Sequence, residues 1–379
     1  MEWETLHIVV TAGFVLAIVF GAIANRTNFC TMGAISDWVN MGSKGRLGAW
    51  VLAMGVAVAG TQILELSGKI PLEESIYRTP TFGLLGYILG GLLFGVGMTL
   101  SGGCGQRTLV RLGSGNLKAL VVFLVLAITA YMTLRGLFGQ FRLDHIDSRA
   151  IDLTNQGIED QGLSNLFANW FGWELSSGLR WGVAALISAV LILIALSFKA
   201  LRQSGENLFA GISIGLIIAG GWAITGILGL DDFDPMPLES MSFVAPSGNS
   251  LTYLMTYTGA TINFGIAIVF GVIVGSFLYS VLSRSFRIET FTDKQDMINH
   301  LLGGLLMGFG GVLSLGCTVG QGVTGVSTLA LGSFVAVGSI MIGSAVTLRY
   351  QYLRMDDFGV IKALFVGIAD IILPWRKLA

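Results

Sequence analysis

The chain has 379 residues, of which 53% are hydrophobic and only 12% are charged, and its formal net charge is −1. A soluble domain carries about 25% charged residues, so this composition excludes an ordinary soluble protein. The near-neutral charge and the lack of a basic patch give no reason to expect a nucleic-acid partner. We therefore interpret the chain as an all-α integral membrane protein that has the lipid bilayer as its surroundings.

Apolar runs of the length that crosses a bilayer, about 20 residues, recur along the chain. The first run lacks the basic segment and the cleavage site of a signal peptide, so we interpret it as a span. The candidate spans are residues 6–24, 47–66, 82–100, 117–137, 179–198, 207–228, 260–282, 300–315, 329–348 and a short run at 358–373 that either spans or lies at the interface. The sequence thus predicts a bundle of nine or ten helices in a single transmembrane transporter domain, residues 1–379.

The charges of the connecting loops predict the orientation, because Lys and Arg concentrate in cytoplasmic loops. Basic residues collect in the loops near 38–47, 101–118, 199–206 and 283–297, whereas residues 139–177 and 229–258 are acidic. We therefore expect a multi-pass protein of the inner (plasma) membrane with its basic loops in the cytoplasm. The two acidic segments are then extracytoplasmic loops, and the amino terminus is extracytoplasmic.

Each of the three cysteines lies where an apolar run breaks into glycine and small polar residues. Cys104 lies in Leu-Ser-Gly-Gly-Cys-Gly-Gln, Cys317 in Leu-Ser-Leu-Gly-Cys-Thr, and Cys30 in Asn-Phe-Cys-Thr-Met-Gly. An odd number of widely spaced cysteines argues against a disulfide framework. Because no Cys-x-x-Cys or Cys/His cluster is present, we expect neither a metal site nor a cofactor.

Two of these breaks belong to an internal repeat. The segment from Gly91 to Cys104 aligns without a gap to the segment from Gly304 to Cys317. The predicted spans before the two cysteines run in opposite directions, so the sequence predicts inverted repeats, roughly residues 1–138 and 200–348. A weaker alignment of the segment before Cys30 gives Ile224 as the fourth symmetric position.

The segments after two cysteines, residues 106–112 and 319–327, are too short to span and fit re-entrant half-helices, whose amino termini favour anions. A single buried cysteine is more commonly a packing residue, and the repeat of Ser-x-Gly-Cys is what favours a functional role. The candidate relay residues are Cys30, Cys104 and Cys317, and the further candidates for substrate binding are Arg26, Gly103, Gln106, Arg107, Gly316 and Gln321. The two glutamines either bind a substrate or tie down the half-helices.

At these residues the chain resembles the YeeE/YedE family of sulfur-compound transporters. The segments that carry the resemblance start at Arg26-Thr-Asn-Phe-Cys, Leu100-Ser-Gly-Gly-Cys, Gly303-Gly-Leu-Leu-Met and Asn263-Phe-Gly. The resemblance implies an hourglass-shaped helical protein in which thiosulfate passes along the three cysteines by S–H hydrogen bonds. It also implies a small TusA-like sulfur-carrier protein as a partner on the cytoplasmic side. Other relatives are linked to selenium or to other sulfur species.

Two other functions compete with transport of a sulfur anion. A membrane-embedded sulfurtransferase or oxidoreductase needs a general base beside a reactive thiol, and no His, Asp or Glu lies within a few residues of Cys104 or Cys317. A soft-metal transporter needs clustered thiolates, whereas these cysteines are singly placed. We therefore predict a transporter and no catalytic residue. The energy source and the oligomeric state stay open.

Overall fold

The computed structural model describes residues 2–230, 236–356 and 358–372, and it is almost wholly helical. The helices are α1 Glu2–Arg26, α2 Thr31–Met41, α3 Gly45–Leu66, α4 Leu84–Leu100, α5 Gly105–Gly113, α6 Leu117–Arg135, α7 Leu137–His145, α8 Leu163–Phe171, α9 Ser177–Ser197, α10 Lys199–Arg202, α11 Gly205–Ala223, α12 Ala245–Met255, α13 Phe264–Leu282, α14 Lys294–Leu313, α15 Leu331–Met355 and α16 Val360–Ile372. Two π-helical turns, Ile224–Leu228 and Gly320–Gly325, interrupt this order, and two short strands, β1 Thr81–Phe82 and β2 Ile151–Asp152, pair antiparallel.

Nine helical segments within the described ranges are long and apolar enough to cross a membrane. They correspond to the nine longer predicted spans, which confirms an all-α membrane protein. The tenth candidate forms α16, which has 13 residues and is shorter than the roughly 20 that a span needs. Residue 373, the last of that candidate, lies outside the described residues.

The acidic segments contain more helix than the sequence suggested. Residues 139–177, predicted as a loop, include α8 and most of α7. Residues 229–258, also predicted as a loop, include α12, whose Pro246, Ser247 and Gly248 are buried. The Oγ of Ser247 donates to the carbonyl of Phe243 at 2.6 Å, so the helix itself satisfies this hydroxyl. Small polar residues that read as a surface loop therefore form a short buried helix.

The long helices pack in matching pairs. α1 packs on α13 and α3 packs on α11, while α4 packs on both α14 and α15, and α6 packs on α14. The short helices follow the same pattern, because α2 contacts α15 and α12 contacts α6. The order long, short, long, long, short, long occurs in α1–α6, and it recurs from α11 to α15 when the turn Gly320–Gly325 is counted as a short helix.

Glycine allows these helix pairs to approach closely. A Cβ added at Gly90 would lie 2.6 Å from the carbonyl oxygen of Gly310, and one added at Gly303 would lie 2.6 Å from that of Gly97, so α4 and α14 pack backbone to backbone. Gly275 on α13 faces the backbone of Ile18 on α1 in the same way. Close packing of this kind is a main source of helix association in lipid, where the hydrophobic effect does not act between helices.

We expect Gly275→Ala to force α1 and α13 apart, because the added methyl group meets backbone rather than a movable side chain. Overpacking of this kind costs about 1–3 kcal/mol of unfolding free energy. The matched control is Gly338→Ala on α15, where an added Cβ has no heavy atom within 4 Å. Thermal unfolding of the purified protein in detergent measures both, and equal melting temperatures for the two variants would contradict the close-packed pair.

Candidate functional site

Each cysteine lies at the start of a short helical segment and is buried. The Sγ of Cys30 caps α2 by accepting the backbone N–H of Gly33 at 3.5 Å. The Sγ of Cys317 accepts the N–H of Gly320 at 3.3 Å. Because the lone pairs of these sulfurs are used by the backbone, their S–H groups remain available as donors. The predicted half-helix after Cys104 is α5, and the one after Cys317 is the π-helical turn.

The breaks that hold the cysteines converge at one place. The thiols of Cys30 and Cys104 lie close together, and the side chain of Thr318 lies beside the thiol of Cys104. Cys317 in turn interacts with the backbone of Phe243. All three cysteines are free of disulfides. Residues more than 280 positions apart in the sequence are thus neighbours in one cluster.

A fourth break lies beside this cluster, at the start of α12. α12 begins directly after Val244, as α2 begins after Cys30. The side chain of Val244 would contact a Cβ added at Gly311, so this break lies against α14. Ile224 instead lines an apolar groove with residues of α1. The break at Val244 carries no thiol, and Ile224 as the fourth symmetric position stays a prediction.

The two candidate glutamines tie down the breaks and each keeps one amide atom available. Gln321 donates from Nε2 to the carbonyl of Ser314 at 2.5 Å, and its Oε1 has no partner among the described residues. The Oε1 of Gln106 lies 3.9 Å from the thiol of Cys104, and its Nε2 is unpaired within the same ranges. Both side chains are buried, so each glutamine keeps one polar atom that is buried without a partner in these ranges.

The candidate glycines provide space. A Cβ at Gly103 would lie 2.8 Å from Cγ of Arg107, and one at Gly316 would lie 3.2 Å from the backbone nitrogen of Gln321. Gly103 therefore lets the arginine fold over the Cys104 break, and Gly316 lets the Cys317 break close tightly. These contacts give the two glycines a packing role beside the cysteines.

A basic vestibule of about 470 Å³ lies next to Cys30 and Cys104. Its arginines are Arg26, Arg107, Arg111 and Arg287, and a single acid, Glu289, shares the lining. Arg107 donates from Nη2 to Oδ1 of Asn28 at 2.9 Å and interacts electrostatically with Cys30. The vestibule thus brings positive charge to the edge of the cysteine cluster, and it includes the predicted site residues Arg26 and Arg107.

Arg78 holds the far end of the Cys317 segment in place. Its guanidinium donates from Nε to Oδ2 of Asp160 at 2.9 Å, from Nη1 to the carbonyl of Thr328 at 2.6 Å, and from Nη2 to Oε1 of Glu65 at 3.3 Å. We call Glu65, Arg78 and Asp160 the arginine bracket. Burial raises the pKa of the Tyr77 phenol next to it. No sequence pattern indicates this bracket, because Asp160 is one of several acids in a segment that we predicted as a surface loop.

A narrow cavity, closed in this structure and without room for a water molecule, lies beside the cluster. It is lined by Thr31, Trp50, Thr318, Val337, Ile340 and Met341. Thr31 follows Cys30 directly and Thr318 follows Cys317 directly, so the cavity touches two of the cysteine breaks. Trp50 and Thr318 were not among the predicted site residues. The recurring Cys-Thr pair is the sequence signal that marks this place.

Comparison with known proteins identifies the family of this chain. Residues 26–346 match the family described as Sulphur transport. The chain belongs to this family. It is similar to the thiosulfate transporter TsuA of Escherichia coli K12, at 24% identity over 346 residues that cover 88% of this chain and 92% of the relative. It is also similar to the thiosulfate transporter TsuA of Spirochaeta thermophila, at 26% identity over 356 residues that cover 88% of this chain and 96% of the relative.

We expect Arg78→Met to destabilise the protein, because it leaves the carboxylates of Glu65 and Asp160 buried without their cation. Breaking a buried ion pair from one side costs about 3–5 kcal/mol. Arg149→Met is the control, since Arg149 is an exposed arginine in the same part of the chain as Asp160. A melting temperature of Arg78→Met equal to that of Arg149→Met would show that the bracket does not stabilise the fold.

Proposed function

We propose that this chain takes up thiosulfate, or a similar sulfur-containing anion, into the cytoplasm across the inner membrane. The observation that carries the proposal is the convergence of three buried cysteine breaks next to a basic vestibule. A vestibule of one sign of charge concentrates ions of the other sign. The names of the two TsuA relatives support thiosulfate as the anion.

In this proposal, the thiols of Cys30, Cys104 and Cys317 pass the anion along by S–H hydrogen bonds. A thiol is a weak donor, and a path through a membrane needs sites that bind well enough to admit the ion and weakly enough to release it. The backbone N–H groups that bind the sulfurs of Cys30 and Cys317 support this role, because they favour S–H groups that point away from the helix start.

The proposed architecture is an inverted repeat of residues 1–138 and 200–348. The pairs α1–α13 and α11–α3 exchange under such a symmetry, as do α4–α15 and α14–α6. The packing of the short helices, α2 on α15 and α12 on α6, obeys the same exchange. Inverted repeats place substrate sites near the midplane of the membrane, where discontinuous helices meet. In the proposed repeats, the cysteines lie at the starts of the short helical segments, which correspond to these discontinuous helices.

The basic vestibule faces the cytoplasm in the proposed orientation, with the amino terminus outside. Arg287 and Arg111 come from two of the basic loops, and cytoplasmic loops are those rich in Lys and Arg. A small TusA-like sulfur-carrier protein is the proposed partner at this face. The anion released into the vestibule would be received there.

The surroundings of the thiols favour a transporter over a thiol enzyme. Cys30 lies beside a backbone N–H, another thiol and the guanidinium of Arg107, and Cys104 lies beside Gln106 and Thr318. A nucleophilic cysteine is activated by an adjacent base, usually histidine. None of these neighbours removes a proton at neutral pH, so hydrogen bonding without covalent chemistry is the role that they support.

Cys104→Ala and Cys317→Ala should each lower uptake of radiolabelled thiosulfate roughly 10-fold or more, since each removes a hydrogen bond to a charged group. The assay uses cells that lack their own uptake routes, with the amount of protein in the membrane measured in parallel. The serine variants of the same positions keep a donor and should retain more uptake. Undiminished uptake by both alanine variants would contradict the relay.

Arg107→Gln should raise the thiosulfate concentration needed for half-maximal uptake several-fold and weaken its dependence on ionic strength, because electrostatic attraction is screened by salt. Arg202→Gln, an exposed arginine outside the vestibule, is the control. If both variants show the same salt dependence as the unmodified protein, the vestibule does not attract the anion.

A further inference from the structure

Two buried hydrogen-bond donors at the narrow cavity have no partner in the part of the chain that the structure describes. They are the indole N–H of Trp50 and the hydroxyl of Thr318. The side chains are only 3% and 1% exposed. A buried donor without a partner destabilises a fold, so such groups need an explanation, and a ligand is one that fits a transporter.

The position of Trp50 is fixed by the Cys317 segment. A Cβ added at Gly322 would lie 2.5 Å from Cζ2 of the Trp50 ring, so the indole lies directly against this segment. The ring belongs to α3, and the segment it touches begins at Cys317. Trp50 therefore holds its indole ring, from a long helix, against the segment that begins at Cys317.

Thr318 connects the same cavity to the thiols. It follows Cys317 in the sequence, and its side chain lies beside the thiol of Cys104. Thr31, which follows Cys30, also lines this cavity. The remaining lining residues, Val337, Ile340 and Met341, are apolar, so the cavity offers neutral polar groups and no charge.

We propose that Trp50 and Thr318 form a subsite that recognises the oxygen end of the transported sulfur oxyanion. The inference rests on the proposed function and deepens it, because it distinguishes two parts of one substrate. N–H and O–H are stronger donors to oxygen than a thiol is. The sulfonate oxygens of thiosulfate bind at Trp50 and Thr318, while its terminal sulfur stays beside the thiols. The subsite selects oxyanions of sulfur over sulfur species without oxygen.

The subsite also explains why the donors are neutral. An arginine at this depth would hold a dianion too tightly for passage, whereas two uncharged donors release it. The cavity is closed in this structure, so its wall must move before an anion can enter. Met341 in that wall is an unbranched, flexible side chain that can give way.

The test is the affinity of the purified full-length protein for sodium thiosulfate, measured by calorimetry in detergent. Trp50→Phe keeps a ring but loses the N–H, and Thr318→Val keeps the shape but loses the hydroxyl. Each should weaken binding roughly 5- to 20-fold, the range for a lost hydrogen bond to a charged group. Thr318→Ser, which keeps the hydroxyl, should restore the affinity. Trp181→Phe on α9, whose tryptophan is 42% exposed, is the control.

A second readout separates binding from packing. Thiosulfate should change the tryptophan emission of the unmodified protein and of Trp181→Phe, and this change should disappear in Trp50→Phe. If Trp50→Phe and Thr318→Val bind thiosulfate as the unmodified protein does, the subsite is overturned while the transport function stands. If Thr318→Ser is as weak as Thr318→Val, the hydroxyl is not the donor and the subsite is overturned as well.

Failure of the proposed function gives a different result. If the unmodified protein binds sulfate or sulfite but not thiosulfate, thiosulfate is wrong as the substrate. The affinities of the same variants for the anion that does bind then test the subsite. If the unmodified protein binds none of these oxyanions, both proposals are overturned. Weaker binding in both donor-loss variants, with rescue by Thr318→Ser, supports the subsite for whichever oxyanion is bound.

Discussion

Peptide groups that leave a helix inside a bilayer must find partners in the protein, and the centre of this molecule depends on that constraint. Gln321 donates to the carbonyl of Ser314 at the Cys317 break, and Arg111 donates to the carbonyl of Gly102 at the Cys104 break at 3.4 Å. The breaks also lie against one another through the contact between Cys317 and Phe243. The cysteines are held in place because these hydrogen bonds satisfy the peptide groups of each break and because the breaks pack against one another.

The rest of the fold supports these breaks from both sides. Glycine contacts between α4 and α14 leave almost no freedom for the helices that lead to Cys104 and Cys317. At the end of the Cys317 segment, the arginine bracket binds the carbonyl of Thr328, and backbone hydrogen bonds of 2.9 Å join Leu163 to Leu329 and Leu331 to Gln161. The segment is therefore fixed at both its start and its end.

The long helices were predictable, because an apolar run of about 20 residues has few other interpretations. α12 was missed because Pro246, Ser247 and Gly248 have loop composition, and only burial shows that they belong to a helix. The pairing of Arg78 with Asp160 joins residues 82 positions apart, which no local pattern reveals. Trp50 lies in an ordinary apolar run, and its sequence context does not show which neighbours its side chain contacts from α3. Cysteines were found because they are rare.

The neutral lining of the narrow cavity has a consequence for energetics. On the proposed path, a dianion that passes without a coupled ion carries its full charge through the membrane field, since the lining residues are neutral and stay in place. Inward movement of two negative charges against a potential of 100 mV, negative inside, costs about 4.6 kcal/mol. Weak donors are unchanged after each passage and supply none of this energy. Net accumulation then requires a coupled ion or rapid chemical consumption of the anion at the cytoplasmic face.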